Sequence, residues 1–146
     1  MDENDVEPFV RYLTQMTEDP VRIVTLGAHA LVEEMIEAVI AEAVPESECF
    51  DVPGMRFDDK LKILKRLDTS TTDPGFWRLI KALNNLRAAA AHRNYETLSA
   101  DRFSELASAF RSVRPSFGET DRIDLLHSVA AYCFESLIGL KSSFRK

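Results

Sequence analysis

The sequence predicts an all-α fold, an antiparallel bundle of about six helices with no β-sheet. Apolar residues recur at helical spacing along most of the chain, and no segment alternates as a half-buried strand would. Asp19-Pro20 and Asp73-Pro74 each pair a capping carboxylate with a proline whose missing N–H costs nothing at a helix start. The connections between the periodic segments are mostly short, as in antiparallel neighbours. The chain has 146 residues, 45% hydrophobic and 29% charged, which suits one core. Residues 1–146 are therefore read as a single helical-bundle domain.

A first short helix is expected near Pro8, with Phe9, Val10, Leu13 and Met16 on one stripe. The second opens at Asp19-Pro20 and runs to Val44, because Pro45 cannot continue it. Its apolar residues, Val24, Leu31, Met35 and Val39 among them, spread widely around the axis and predict a central, buried helix. Pro45, Pro53 and Gly54 mark a loop. The third helix spans Phe57 to Leu67 with Phe57, Leu61, Leu64 and Leu67 inward. Asp58 and Asp59 open it and Lys65 and Arg66 close it, matching the helix dipole. The fourth follows Asp73-Pro74, turns Phe76, Ile80, Leu83 and Ala90 inward, and frays near His92 to Asn94. Ser99 is the expected cap of a fifth helix that carries Phe103, Leu106 and Phe110 and stops before Pro115. Thr120 is the expected cap of the last, which buries Ile123, Leu126, Val129, Cys133, Phe134 and Leu137.

Composition narrows the function classes. The first residues are acidic where a secretory signal is basic. The greasiest segment, Ile23 to Val44, carries Glu33, Glu34, Glu37 and Glu42, too many carboxylates for a bilayer. Cys49 and Cys133 stand alone, as free thiols do in a reducing compartment. A cytoplasmic protein without a membrane partner is expected. The net charge of −6 and the lack of a basic recognition helix argue against direct, sequence-specific DNA binding. That total hides a division. Residues 1–59 hold 15 acidic and 3 basic residues, a balance of −12, whereas residues 60–146 hold 15 basic and 9 acidic, a balance of +6. Two halves of one bundle attracting each other account for this. A basic face for phosphates or an acidic partner is the functional alternative, so RNA stays open as a partner.

The stretch from Leu83 to Tyr95 carries the most chemistry. Arg87 offers a permanent fork of donors suited to phosphate, and His92 has the intrinsic pKa of a general acid or base. Asn84, Asn85, Arg93 and Tyr95 surround them as candidate binding residues. In an unbroken helix Arg87 and His92 would lie about 140° apart around the axis. They converge only if the helix ends near Ala91 or a second copy completes the site. In a purely structural alternative, Arg87 pairs with a carboxylate of the acidic half and His92 caps the terminal carbonyls.

At these residues the chain resembles the HEPN superfamily of helical bundles, marked by an Arg, four to six residues, then a His. The flanks are similar to the mannitol operon repressor-like family: Phe57 and Lys60, the approach from Leu83 through Arg87 to His92, and Phe103 on the following helix. That resemblance implies a regulatory, protein-interaction module that acts through a protein partner rather than by reading DNA. The wider superfamily implies an alternative, a toxin-like, metal-independent endoribonuclease working as a homodimer, with Arg87 and His92 as its catalytic residues. Ala88 stands where active members carry a polar residue, and Tyr95 is one position out of register with the modified tyrosine of some toxins.

Elsewhere the signals are weaker. His29 and Glu33, four apart, have chelating spacing but no second ligand pair, so neither a metal nor any cofactor is expected. His127 lacks clustered ligands, and no nucleophile elbow or phosphate-cradling glycine loop is present. Phe76 and Trp77 read as core.

Overall fold

Two Asp-Pro steps start helices as expected, and the caps show why. Asp19 accepts from Arg22 N at 3.1 Å and Asp73 accepts from Gly75 N at 2.8 Å. Each satisfies an N–H that the first helical turn leaves without a partner. The computed structural model describes residues 6–10, 19–68, 73–91 and 95–145, without the side chains of 47–48 and 95–98.

Within those residues the fold is all-α. Residues 6–10 are helical (α1). There follow α2 (Pro20–Ala43), a 3₁₀ turn (Pro45–Cys49), α3 (Phe57–Leu67), α4 (Pro74–Ala90), α5 (Tyr95–Val113) and α6 (Arg122–Ser143). No strand occurs among the described residues.

Helix α2 is central, packing against α3, α4, α6 and the 3₁₀ turn. One cluster unites the interior, including Val32, Ile36 and Ile40 of α2, Leu64 of α3, Leu79 and Leu83 of α4, Leu106 of α5 and Leu126 of α6. Burying each such side chain contributes about 1.5–3 kcal/mol. Helices α2 and α4 run antiparallel, because His29 meets Asn84 while Arg22, nearer the start of α2, meets Ala90 at the end of α4. A Cβ on Gly75 would lie 2.8 Å from Val113 Cγ1, so the start of α4 touches the end of α5. Arg145 Nε donates to Glu42 Oε1 at 3.0 Å, placing the C-terminal ends of α6 and α2 together. Three ion pairs, Lys60 with Glu33 and with Glu37, and Arg145 just past α6 with Glu42, each join the acidic half of the sequence to the basic half.

Several local expectations are corrected. Ser99 does not cap α5, which already begins at Tyr95; Ser99 lies fully buried in its second turn. No helix breaker separates Tyr95 from Ser99, so the helix extends back. Asp121, not Thr120, caps α6, its Oδ1 accepting from Asp124 N at 2.8 Å. A carboxylate there serves both the free N–H and the dipole. Phe9 and Val10 are exposed, and Leu13 and Met16 lie outside the described residues. Leu31 and Phe134 are exposed as well. They face away from the elements that pack against α2 and α6, so apolar character alone does not bury them. Between Pro45 and Arg56 the chain is more than loop, with the 3₁₀ turn and a buried Val52 pinning it to the core.

Helix α6 is, among the described residues, the one helix long and apolar enough to cross a membrane by length and composition. Leu125, Leu126, Val129, Cys133 and Leu137 commit one of its faces to the core.

Candidate functional site

The most unusual residue of the interior is Lys60, a lysine with no exposed surface. It sits on the inward stripe of α3, next to Leu61 and one turn before Leu64. An ammonium in that position survives only if paired and hydrogen-bonded. Its Nζ donates to Glu33 Oε1 at 2.7 Å, to Glu37 Oε1 at 2.6 Å and to the Pro53 carbonyl at 3.3 Å. All three ammonium protons are accounted for. Burial alone would lower its pKa, but the two carboxylate hydrogen bonds prevail and the pKa is raised above the ordinary lysine value.

Glu33 and Glu37 are one turn apart on α2, so both reach the same point. One turn before Glu33 lies His29, buried, with Nδ1 3.6 Å from Glu33 Oε2 and Nε2 3.0 Å from Asn84 Oδ1 of α4. The amide oxygen accepts, so the imidazole carries its proton on Nε2. Phe57 of α3 packs on the ring, with centroids 4.6 Å apart. The His29 pKa is lowered, first by burial and then by the positive charge of Arg87, against the opposing pull of Glu33 and Asn84. At neutral pH the ring is uncharged.

Arg87 stands one turn beyond Asn84 on α4 and is exposed. It forms no hydrogen bond or ion pair with the described residues, and with Leu26, His29, Glu33, Glu34 and Glu37 it lines an open groove of about 490 Å³. The structural alternative for Arg87, an internal ion pair, is thereby corrected. The carbonyl at the end of α4 has another partner: Arg22 of α2 donates from Nε to Ala90 O at 2.5 Å. A cation there complements the C-terminal dipole.

Of the residues singled out from the sequence, the structure gathers Phe57, Lys60, Asn84 and Arg87 around His29 and Glu33. Asn85 is half-buried beside them without a hydrogen bond to the cluster. His92 and Arg93 lie outside the described residues, as does the side chain of Tyr95, whose backbone starts α5. Sequence reasoning missed Glu37 and the ion-pair role of Lys60. The signals were there: a second carboxylate four residues after Glu33, and a lysine on an otherwise apolar stripe.

In chemical terms, the carboxylates already hold a cation, the ammonium of Lys60. Among the described residues no group of three or more His, Cys, Asp or Glu is arranged to hold a metal ion. His29 is 3% exposed and hydrogen-bonded to Asn84, a poor position for exchanging protons with a bulky substrate. Cys133 is buried, which pushes its thiol up to about 12, while Cys49 is an exposed free thiol. The groove is thus equipped to bind: fixed carboxylates on one wall, a free guanidinium on the other. Comparison with protein-family models, with curated proteins and with solved structures finds no match to this chain.

Proposed function

We propose that this chain is a regulatory protein-interaction module of the mannitol operon repressor-like kind, working in the cytoplasm through a protein partner rather than by reading DNA. The observation that carries the reading is the groove between α2 and α4. Arg87 stands there exposed and without an ion pair among the described residues, opposite carboxylates that buried Lys60 holds in place. A free guanidinium beside fixed carboxylates suits a partner presenting both charges, and arginine is among the residues that dominate interfaces. The resemblance carried by Phe57, Lys60, the stretch from Leu83 through Arg87 to His92, and Phe103 adds the regulatory sense.

A second reading, a metal-independent endoribonuclease using Arg87 and His92, is favoured by one observation. Helix α4 ends at Ala90, next to the point where it has to end if Arg87 and His92 are to converge. One assay separates the readings. Purified protein, Arg87→Ala and His92→Ala are incubated with total RNA in EDTA. The module leaves RNA intact in all three; cleavage by the parent protein that both variants lose overturns it in favour of the nuclease. A photo-crosslinker at position 34, on the groove wall, gives the positive test. A discrete protein adduct in producing cells that Arg87→Glu abolishes is expected, and an adduct pattern indifferent to that change refutes the docking site.

A further inference from the structure

On the other side of Asn84, away from Arg87, the surfaces of α3 and α4 enclose a second groove of about 270 Å³. Two pairs of residues, each one helical turn apart, line it: Lys62 and Lys65 from α3, Lys81 and Asn84 from α4, over a floor that includes Phe57 and Leu61. Three-residue spacing puts both members of each pair on one helix face. Asp58 is the one carboxylate in the lining, so the three ammonium groups leave the groove with a surplus of two positive charges. Lys62 approaches Asp59 only at 4.0 Å, with its side chain 77% exposed. That contact is screened by water and leaves the lysine available.

Asn84 turns this cluster of lysines into a directional site. Its Oδ1 faces His29 Nε2 at 3.0 Å, so the amide's acceptor is occupied from the α2 side. The Nδ2 end has no hydrogen-bond partner among the described residues and offers only N–H donors. Cations and an acceptor-free amide together select an anion. A volume near the lower bound for small-ligand pockets, about 300 Å³, points to a compact molecule. The aromatic and aliphatic floor gives an apolar part of that molecule a place to lie. Asp58 and Asp59 at the start of α3 make that end of the groove repel a polyanion running past it.

We infer that the groove between α3 and α4 is a binding site for a small phosphate-bearing molecule, its phosphate oxygens held by Lys62, Lys65, Lys81 and the Asn84 amide. The site is separate from the proposed docking groove and stands without it. Inorganic pyrophosphate is the probe, titrated into the full chain by calorimetry at low salt, with the Asn84 side-chain amide followed by ¹H–¹⁵N spectroscopy. Saturable one-to-one binding that shifts the Asn84 amide signal is expected. Lys65→Gln and Lys81→Gln should each weaken it at least fivefold without lowering the melting temperature of the free protein. Asn84→Asp, which keeps an acceptor for His29 but puts a carboxylate in the groove, should weaken it at least tenfold. Absence of saturable binding, or variants within twofold of the parent, overturns the proposal. So does a ten-nucleotide RNA that binds a hundredfold more tightly than pyrophosphate through the same lysines, since the groove would then serve a nucleic-acid chain.

Discussion

Replacing Lys60 by methionine is the sharpest test of how the site is built. Methionine keeps a flexible, unbranched stem in the α3 stripe, so little packing is lost. What disappears is the ammonium 2.7 Å from Glu33 and 2.6 Å from Glu37. Removing one partner of a buried ion pair costs about 3–5 kcal/mol when the other charge is stranded. Here Glu33 and Glu37 keep 29% and 26% of their side-chain surface exposed, so both can turn part-way into water. The expected loss is therefore smaller, about 2–3 kcal/mol. At about 2–4 °C per kcal/mol for a chain of this size, the melting temperature should fall by about 5–10 °C. Urea denaturation followed by circular dichroism gives the free energy, and a thermal scan gives the shift. Adding Glu33→Gln and Glu37→Gln to Lys60→Met removes the stranded charges and should recover at least half of the loss. A Lys60→Met protein within 0.5 kcal/mol of the parent would falsify the claim that the ammonium organises α2 against α3.

The remaining predictions use the other titratable groups and the core. His29 has a lowered pKa in the folded chain, so its share of stability is full above the unfolded value of about 6.5 and declines as pH falls from there through the folded value. His29→Gln should flatten that limb of the stability–pH curve, and an unchanged slope would show that the loss arises elsewhere. Arg87→Gln removes a positive charge that depresses His29, so the histidine's NMR titration midpoint should move up; a midpoint that stays put would place the guanidinium outside the groove. The raised pKa of Lys60 works in the opposite sense: its stabilisation is present below the unfolded lysine value and is lost as pH rises through the folded one, which alkaline melting curves of the parent and Lys60→Met should show. Finally, a thiol reagent should modify one cysteine in the native chain, Cys49, and reach Cys133 only on unfolding; native labelling of two would contradict the packing of α6.

Much of this fold was legible because local chemistry and tertiary burial agree. The stretch Phe57 to Leu67 has an apolar stripe, acidic residues at its start and basic ones at its end, and α3 occupies those same bounds. Where the cues were equivocal, boundaries slipped. Ser99 is a good cap by residue type but lies where nothing stops a helix from continuing backward. Leu31 and Phe134 are apolar residues on helices that are buried on one face only, and periodicity cannot say where the last packing partner ends. The site was harder to read. His29 and Glu33 share a face by spacing, which the sequence shows, but their neighbours Lys60 and Asn84 come from other helices. Lys60 sits in the same turn as Leu61, where a snorkelling surface lysine and a buried one look alike until α2 supplies the carboxylates.

The two grooves owe their different characters to one ridge of α4. Lys81, Asn84 and Arg87 recur every three residues along α4, with α2 packed along one side and α3 facing it across the second groove on the other. On the α2 side the wall is acidic, and Lys60 fixes its carboxylates from beneath. On the α3 side the wall is basic, with exposed lysines of which Lys65 lies over the Trp77 ring, its Nζ 5.8 Å from the centroid. Asn84 divides them by pointing its acceptor at His29 and leaving its donors for the other groove. The contact between its amide oxygen and His29 Nε2 at 3.0 Å leaves the NH₂ group free for the groove that Asn84 lines with the lysines. The buried ring therefore links the two surfaces. Exchanging Asn84 for a side chain with only an acceptor changes the α3 groove while preserving the bond to α2, whereas exchanging it for an apolar one disturbs both.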